Sequence, residues 1–523
     1  MHWADFRAQR LSERDVPQVI VSGITPSGEF HIGHLREILT AEMIHRACLD
    51  AGLDSRYVFI VDSMDPLRRV YDFLSPEYEK YIGVPLAYIP APNPDGTPST
   101  GSVSYAEYFL NPFEEALKEI GVVPDDMVWN HKTYEDGKFA EMIDKAIGSR
   151  QEIREIIMTV SGRDLPEDWF PYSPRGPNGS MDGVRVTNYE YPFVSWVDEN
   201  GVTGTADIRK ADGKMPWRVD WAARWIIHQV TCEPAGKDHG AAGGSFDTGF
   251  PSCEVLGGTP PEKIVYEWIQ LKGMGPMSSS SGVTIGPMEA LSLVPPEILR
   301  YVIARSKIGR HIEFDTGSAL FEMADEYERL LSRVETGEIS KRMQTRIDTR
   351  KGALRLSQVV RNSDPSDSIA GVSFRHLSML AQIKSSDEEV WESLRNSGHL
   401  SGNPSDSLVV RLTKMRNWIG GSHFPEDARI IIQTVIGDSF RENTSEEQKI
   451  FLRRLSKSLE DCEWSQDSIR EIIRECTIIC ELVPRDGFSA LYWALLGRGH
   501  GPRASALISE MDKRVLIDLL SGV

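Results

Sequence analysis

Nine consecutive residues, Pro26-Ser27-Gly28-Glu29-Phe30-His31-Ile32-Gly33-His34, concentrate the groups best suited to chemistry. If a helix opens here, imidazoles three positions apart project to one side of its first turn. They would stand beside backbone N–H groups and the positive end of the helix dipole, a good place to hold a triphosphate. Gly33 lacks the side chain that would keep a flat base from lying against the helix. Taken alone, the His-Ile-Gly-His spacing also fits metal binding or coincidence. Further along, Pro276-Met277-Ser278-Ser279-Ser280-Ser281-Gly282 offers N–H and O–H donors that can wrap phosphates, although a bare serine run is more often a solvated loop.

The surrounding elements give the histidines a setting. Gln18 to Ser22 (QVIVS) is a β-branched apolar run, so a buried strand is predicted, followed by the turn-rich loop Gly23 to Gly28. From His31, apolar residues recur at helical spacing (Leu35, Ile38, Leu39, Met43, Ile44) until Gly52 stops them. Tyr57 to Val61 is a second buried strand, ending in Asp62. Strand, glycine loop, helix and strand make a βαβ unit whose phosphate position is the loop-to-helix junction. Residues 85–105 are rich in Pro, Gly, Ser and Thr, 112–160 are helical in pattern, and 166–190 read as a loop or small hairpin. A second half of the sheet is expected from about Tyr191 to Leu271. Beyond about residue 320 the pattern is amphipathic helices, clearest in Ile469, Ile472, Ile473, Cys476, Ile479, Cys480 and Val483. Asp486 is expected to cap a helix over Phe488 to Leu496 that Gly497 ends.

Composition narrows the class. A chain of 523 residues, 40% hydrophobic and 26% charged, is globular and long enough for two or three packed units. Met1 to Asp15 lacks a basic-then-apolar signal, and no segment approaches a bilayer-spanning run, so a cytoplasmic protein without membrane contact is expected. A net charge of −19 argues against indiscriminate nucleic-acid binding, yet leaves room for a specific RNA, because the local field decides. One such locality is Lys341, Arg342, Arg346, Arg350, Lys351, Arg355 and Arg361, opposed only by Asp348, which fits a solvated helix face or RNA contact equally. The six cysteines form no Cys-x-x-Cys pair, so neither disulfides nor a zinc site is expected.

In their order along the chain, the histidine pair and the serine loop resemble the two signatures of class I aminoacyl-tRNA synthetases. The resemblance implies that His31 and His34 contact ATP and stabilise the pentavalent α-phosphate as an amino-acid carboxylate attacks. It makes Met277, Ser278, Ser279 and Ser280 the catalytic second signature, a Lys-Met-Ser-Lys-Ser loop in the family. Further stretches are similar to the class I lysyl enzymes: VDSMDPLR from Val61, KMPWRVDWAARW from Lys214, GKDHGAAGGS from Gly236, and ALYWALLG from Ala490 running into Gly501-Pro502-Arg503. The similarity is strong over residues 18–80 and 191–320 and general elsewhere.

The resemblance implies an α/β fold, with a Rossmann-like parallel-sheet catalytic domain split by an insertion and followed by an all-α C-terminal domain. Expected boundaries are 1–110 and 191–270 for the sheet halves, 111–190 for the insertion, 271–330 for a signature-loop and stem-contact region, and 331–523 for an anticodon-binding domain. The implied ATP contacts are Pro26, Ser27, Gly28, His31, Gly33 and His34, with Gly243, Gly244, Ser278 and Ser280 opposite. Lysine would meet Gly23, Thr25, Asp62, Trp217, Asp220, Asp238 and His239. A buried ammonium requires a paired acceptor, which Asp62 and Asp220 can supply, though each also suits a structural arginine partner. Trp217 can flank the aliphatic stem, although a tryptophan is more often core. Both signature lysines are absent, with Pro276, Ser279 and Ser281 in their place. One lost transition-state donor is worth roughly 3 kcal/mol, and Lys272, Arg305 or Lys307 are candidates to replace it. The expected activity is lysine–tRNA ligation with ATP and Mg²⁺, without bound zinc, by a monomer acting on tRNA(Lys). The alternative is a paralogue that binds ATP or RNA and has lost the reaction.

Overall fold

The computed structural model describes residues 1–272, 275–276, 285–331, 340–364 and 371–523. Its two earliest apolar runs, Gln18–Ile24 (β1) and Ser55–Val61 (β2), pair in parallel from Gln18 opposite Ser55 to Ile24 opposite Val61. Val19, Ile20, Val21, Val58, Phe59 and Ile60 are all buried, as strands covered on both faces require. The helix between them, Ile32–Asp50 (α1), buries Leu35, Ile38, Leu39, Met43 and Ile44.

The rest of the sheet assembles around this pair. Asp126–Trp129 (β3) adds to β2 in parallel. Three short strands, Val184–Glu190 (β4), Phe193–Asp198 (β5) and Thr203–Asp207 (β6), form a separate antiparallel sheet. Cys232–Gly236 (β7) and Glu262–Tyr266 (β8) then complete the five-stranded parallel sheet in the order β8-β7-β1-β2-β3. Two expectations need correction. Residues 126–129, assigned to the insertion, belong to the main sheet. They form a four-residue edge strand whose Asp126 and Met127 are exposed, so no apolar run announces it. Residues 193–207, assigned to the second half of the sheet, belong to the small antiparallel sheet instead.

Three helices flank the crevice side of the parallel sheet: Arg150–Ser161 (α2), Trp217–Ile227 (α3) and Ser245–Val255 (α4). Further on come Pro296–Ala304 (α5), Ser318–Leu331 (α6) and Lys341–Ser357 (α7). The chain divides into two compact units, one of Met1–Leu291, Pro296–Phe314 and Val334–Ser363, the other of Ser292–Pro295, Asp315–Arg333 and Asp364–Val523. The basic helix α7 therefore lies in the first unit, not in the C-terminal one that the boundary at 331 predicts. Buried arginines explain this. Arg300 of α5 donates to the Leu356 carbonyl at 3.0 Å and pairs with Glu42 at 2.7 Å, while Arg46 donates to the Gln358 carbonyl at 2.6 Å.

Every described element of the second unit is helical, including Phe374–Ile383 (α8), Gln466–Ile479 (α9), Pro484–Leu496 (α10) and Ala504–Ser509 (α11). Trp418 is core, ringed by Phe321, Phe374 and Phe424 and donating its indole N–H to the Thr316 carbonyl. α10 starts at Pro484, earlier than Phe488, because proline suits the first helical position and Asp486 falls inside the first turn. Gly497 ends it in the left-handed region at φ 65°. Among the described residues no helix is long and apolar enough to cross a membrane.

Candidate active site

In the main sheet the strand order reverses between β1 and β7, and open parallel sheets bind ligands beyond the carboxyl ends of strands at such a point. There Gly23, Ile24, Glu233, Pro234 and Ala235 line a cleft of ≈ 730 Å³. α1 opens at its edge. His31 is the N-cap in extended conformation, its ring Nδ1 accepting the Gly33 N–H at 3.1 Å. The His31 N–H donates in turn to Nδ1 of His34 at 3.2 Å. The two rings stand 4.1 Å apart and form a reciprocal cap of the helix.

This cap changes what the amino end of α1 offers. Its first N–H groups are already used, Ile32 by the Ile285 carbonyl at 3.0 Å, Gly33 by the His31 ring and His34 by the His31 carbonyl. The expected backbone donors are therefore spent locally. What remains are the two imidazoles, whose accepting Nδ1 atoms put the proton on Nε2; His34 lines the cleft, whereas His31 lies outside the lining. Burial lowers His31 to about 4, and burial followed by its His31 neighbour lowers His34 to about 3. Both rings are neutral near pH 7.

The floor of the cleft is acidic. Glu37, three residues after His34 on α1, accepts the Gly23 N–H at 3.0 Å and the Tyr266 hydroxyl at 3.1 Å. Burial raises its carboxyl to about 8, with Glu233 and Asp62 adding to the rise against these two hydrogen bonds. Glu233, also lining the cleft, accepts the Trp225 indole N–H at 2.7 Å. Sequence reasoning missed Glu37, Glu233 and Tyr266. The available signal was the His34–Glu37 spacing, which places both side chains on one helix face.

Asp62 and Asp220 lie together but differ in access. Asp62 lines the cleft and pairs with Arg224; burial raises it to about 7, opposed chiefly by Arg224. Asp220 is 0% exposed and does not line the cleft. It faces Arg224 Nε at 3.1 Å and Lys214 Nζ at 3.6 Å, and accepts the Tyr134 hydroxyl. Lys214 also pairs with Asp65 at 3.1 Å, and Thr25 donates to Asp65 at 2.9 Å. Asp220, expected to touch lysine, is thus a buried ion-pair partner beneath the site, because two cations already meet its oxygens.

The remaining predicted residues divide in the same way. Thr25, Ser27, His34, Trp217 and His239 line the cleft. Trp217 stacks on His239 at 5.3 Å and 20°, and His239 Nδ1 lies 3.1 Å from the Ser245 hydroxyl. Asp238 does not line it and is largely exposed. Gly243, at φ 72°, could not carry a side chain: a Cβ would lie 2.7 Å from the Val160 carbonyl oxygen. Gly244 is the N-cap of α4. Pro26 and Gly28 sit in the loop before α1, outside the lining. Met277, Ser278, Ser279 and Ser280 lie outside the described residues.

Neither Lys272, Arg305 nor Lys307 lines the cleft. Four other cations do: Arg224, which is paired with Asp62 and Asp220, and Arg68, Arg163 and Arg218, none of the last three with an ion-pair partner among the described residues. Arg218 donates to the Thr248 hydroxyl at 2.9 Å, and burial, then Arg163, depresses its pKa. Among the described residues no group of three or more His, Cys, Asp and Glu side chains is placed to hold a metal ion.

Known proteins resemble this chain over its whole length. A family model described as tRNA synthetases class I (K) matches residues 1–353. The lysine–tRNA ligase of Picrophilus torridus is 35% identical over 525 residues, covering 100% of this chain and 99% of that protein. The lysine–tRNA ligase of Thermoplasma acidophilum is 37% identical over 530 residues, covering 100% and 99%. That of Archaeoglobus fulgidus is 37% identical over 515 residues, covering 98% and 97%.

Proposed function

The chain belongs to the class I (K) tRNA synthetases, and we propose from that premise that it joins lysine to tRNA(Lys) in two steps. A lysine carboxylate oxygen attacks the α-phosphorus of ATP, and the bond to pyrophosphate breaks as lysyl-adenylate forms. The 2′-hydroxyl of the terminal adenosine then attacks the lysyl carbonyl carbon. AMP leaves with the bonding pair and takes the hydroxyl proton. Neither step needs a covalent enzyme intermediate, so positioning and charge stabilisation carry the rate.

The observation that carries the lysine assignment is Glu37, a buried carboxyl at the floor of the cleft. Each of its oxygens holds one donor, Gly23 N–H or Tyr266 O–H, and keeps a lone pair free. A carboxyl raised by burial is stabilised as an anion when a cation reaches it, and the lysine side-chain ammonium is such a cation. Glu233 and Asp62 extend the acidic floor, while Asp220, itself beside Lys214, helps Asp62 hold Arg224 in place. The stacked Trp217 and His239 flank the aliphatic stem. Nε2–H of His34, with His31 beside it, donates to the phosphate oxygens, and Gly33 leaves room for adenosine, while Gly243 and Gly244 permit the tight turn into α4. Arg68, Arg163 and Arg218 supply the positive charge that the serine loop lacks. Mg²⁺ enters with ATP as its counter-ion, with no described cluster of protein ligands to hold it.

The test is amino-acid-dependent exchange of labelled pyrophosphate into ATP, run with each standard amino acid and with tRNA present. Lysine alone should support it. The absent loop lysines favour one second reading, a paralogue that binds substrates without reacting. Exchange with no amino acid would establish that reading and overturn the first.

A further inference from the structure

Beneath the cleft, buried polar side chains form a run of contacts that ends at one residue of its wall. Thr25 follows β1, and backbone hydrogen bonds fix it on both sides. The Asp62 N–H donates to the Ile24 carbonyl and the Ser27 N–H to the Thr25 carbonyl, each at 2.8 Å. The Thr25 hydroxyl donates to Oδ2 of Asp65 at 2.9 Å. The other Asp65 oxygen, Oδ1, meets Nζ of Lys214 at 3.1 Å, and Lys214 faces Asp220 at 3.6 Å on its far side. Tyr134 ties this pair together, donating to Asp220 and accepting the Met215 N–H at 3.1 Å.

A hydroxyl has one proton and two lone pairs, and its polarity is open until a neighbour decides it. Asp65 decides it here. Burial pushes the Asp65 carboxyl up, but the charge and hydrogen bond of Lys214, with the bond from Thr25, outweigh burial and hold it below its ordinary value. An ionised carboxylate only accepts. The single Thr25 proton therefore points to Asp65, and the lone pairs are left to the cleft that Thr25 lines. Asp62 is no rival as an acceptor, since Arg224 already meets it.

We propose that Asp65 and Lys214 are positioning residues that make Thr25 Oγ1 an obligate acceptor for the α-ammonium of the bound amino acid. This role rests on the reading of the chain as a lysine–tRNA ligase and accounts for the second of lysine's two ammonium groups. Glu37 takes the side-chain ammonium beside Gly23. Thr25 stands two residues further along the same loop, towards the histidine cap where the carboxylate meets ATP, so the ammonium next to that carboxylate falls to Thr25. A ligand with the carboxylate and the side-chain ammonium alone leaves the oriented Thr25 without a donor. The buried ion pair thus selects an α-amino acid over an ω-amino acid of the same length.

The experiment measures, by calorimetry on the full chain, binding of lysine and of 6-aminohexanoate, which is lysine without its α-ammonium. Wild type should bind lysine roughly tenfold or more tightly, as one hydrogen bond to a charged group allows. Thr25→Val and Asp65→Asn should each weaken lysine roughly tenfold and keep 6-aminohexanoate within about twofold, so the preference collapses. In Asp65→Asn the amide donates to Thr25 and turns its O–H towards the cleft, while Asp220 still faces Lys214. Thr25→Val leaves the ion pair whole and reads the contact without touching its support. Thr25→Ser should restore the preference, and the double variant should bind lysine no worse than Thr25→Val, because both changes act on one contact. The proposal is overturned if Asp65→Asn weakens both ligands alike, if Thr25→Val keeps the preference, or if wild type binds the two ligands equally. Lysine-dependent exchange on the same preparations separates the two readings. A wild type without exchange that still prefers lysine through Thr25 and Asp65 sinks the ligase and leaves this role standing.

Discussion

At the scale of single residues, the proposed lysine contact makes Glu37 the group that sets the pH behaviour. Its carboxyl sits near pKa 8 in the free protein, so near pH 7 it is mostly protonated. A cationic substrate binds the anion, so binding must expel the proton. The lysine KM should therefore fall as pH rises from about 6 to 8 and level off above, in an exchange assay run across pH. Glu37→Gln should abolish that dependence and raise the lysine KM by one to two orders of magnitude, the worth of a charged hydrogen bond of about 1.5–3 kcal/mol. A lysine KM that stays flat across this range in wild type would remove Glu37 from the pocket. The same shift has a stability sign. A carboxyl raised on folding favours the native state fully below its ordinary value, and that contribution is lost as pH climbs towards 8. The histidine chemistry was legible from residue type and spacing. Glu37 was not, because one acid on an amphipathic helix looks like a solvated position until the fold turns it inward.

At the scale of elements, the proposed reaction gives one residue of α1 two jobs. His31 caps the helix with Nδ1, and in the proposed reaction its Nε2 serves the phosphates beside His34, so cap and chemistry can be separated by substitution. His31→Ser restores a cap and should hold the melting temperature near wild type, while kcat drops about 100–1000-fold. His31→Ala should lose a similar rate and a further ~1 kcal/mol of stability, read by denaturant titration. Equal stability of the two variants would deny the capping role. Beneath the cleft, Arg224 balances Asp62 and Asp220. Arg224→Met leaves Asp62 buried without its cation and Asp220 with Lys214 alone, and should cost about 3–5 kcal/mol. Strands β1 and β2 were readable because both faces are buried and the apolar run is continuous. β3 was not, since a four-residue edge strand carries no periodic signal. On α9 the apolar stripe was read correctly as far as Cys476, but Ile479 and Val483 are exposed, because the helix ends at Ile479.

For the whole molecule, charge is spread unevenly. Within a net −19, Lys341, Arg342 and Arg346 form an exposed basic surface on the first unit, while Arg355 and Arg361 further along are tied to Asp5 and Asp50. If the exposed three meet RNA phosphates, Lys341→Glu with Arg346→Glu should raise the tRNA KM roughly tenfold at low salt, and the gap should close as salt rises. A tRNA KM unchanged at low salt would make this surface merely solvated. The sequence alone determined the family resemblance, the nucleotide end of the sheet, the imidazole pair and the helical character of the C-terminal unit. These are properties of local spacing, hydrophobic period and motif order, which one stretch of chain carries by itself. Tertiary structure decided which acids face the cleft, that Asp220 is spent on Arg224 and Lys214, that the basic helix joins the first unit, and which cations line the cleft. Those outcomes depend on which distant side chains meet, since a buried charge takes its role from its neighbours rather than from its own position in the chain.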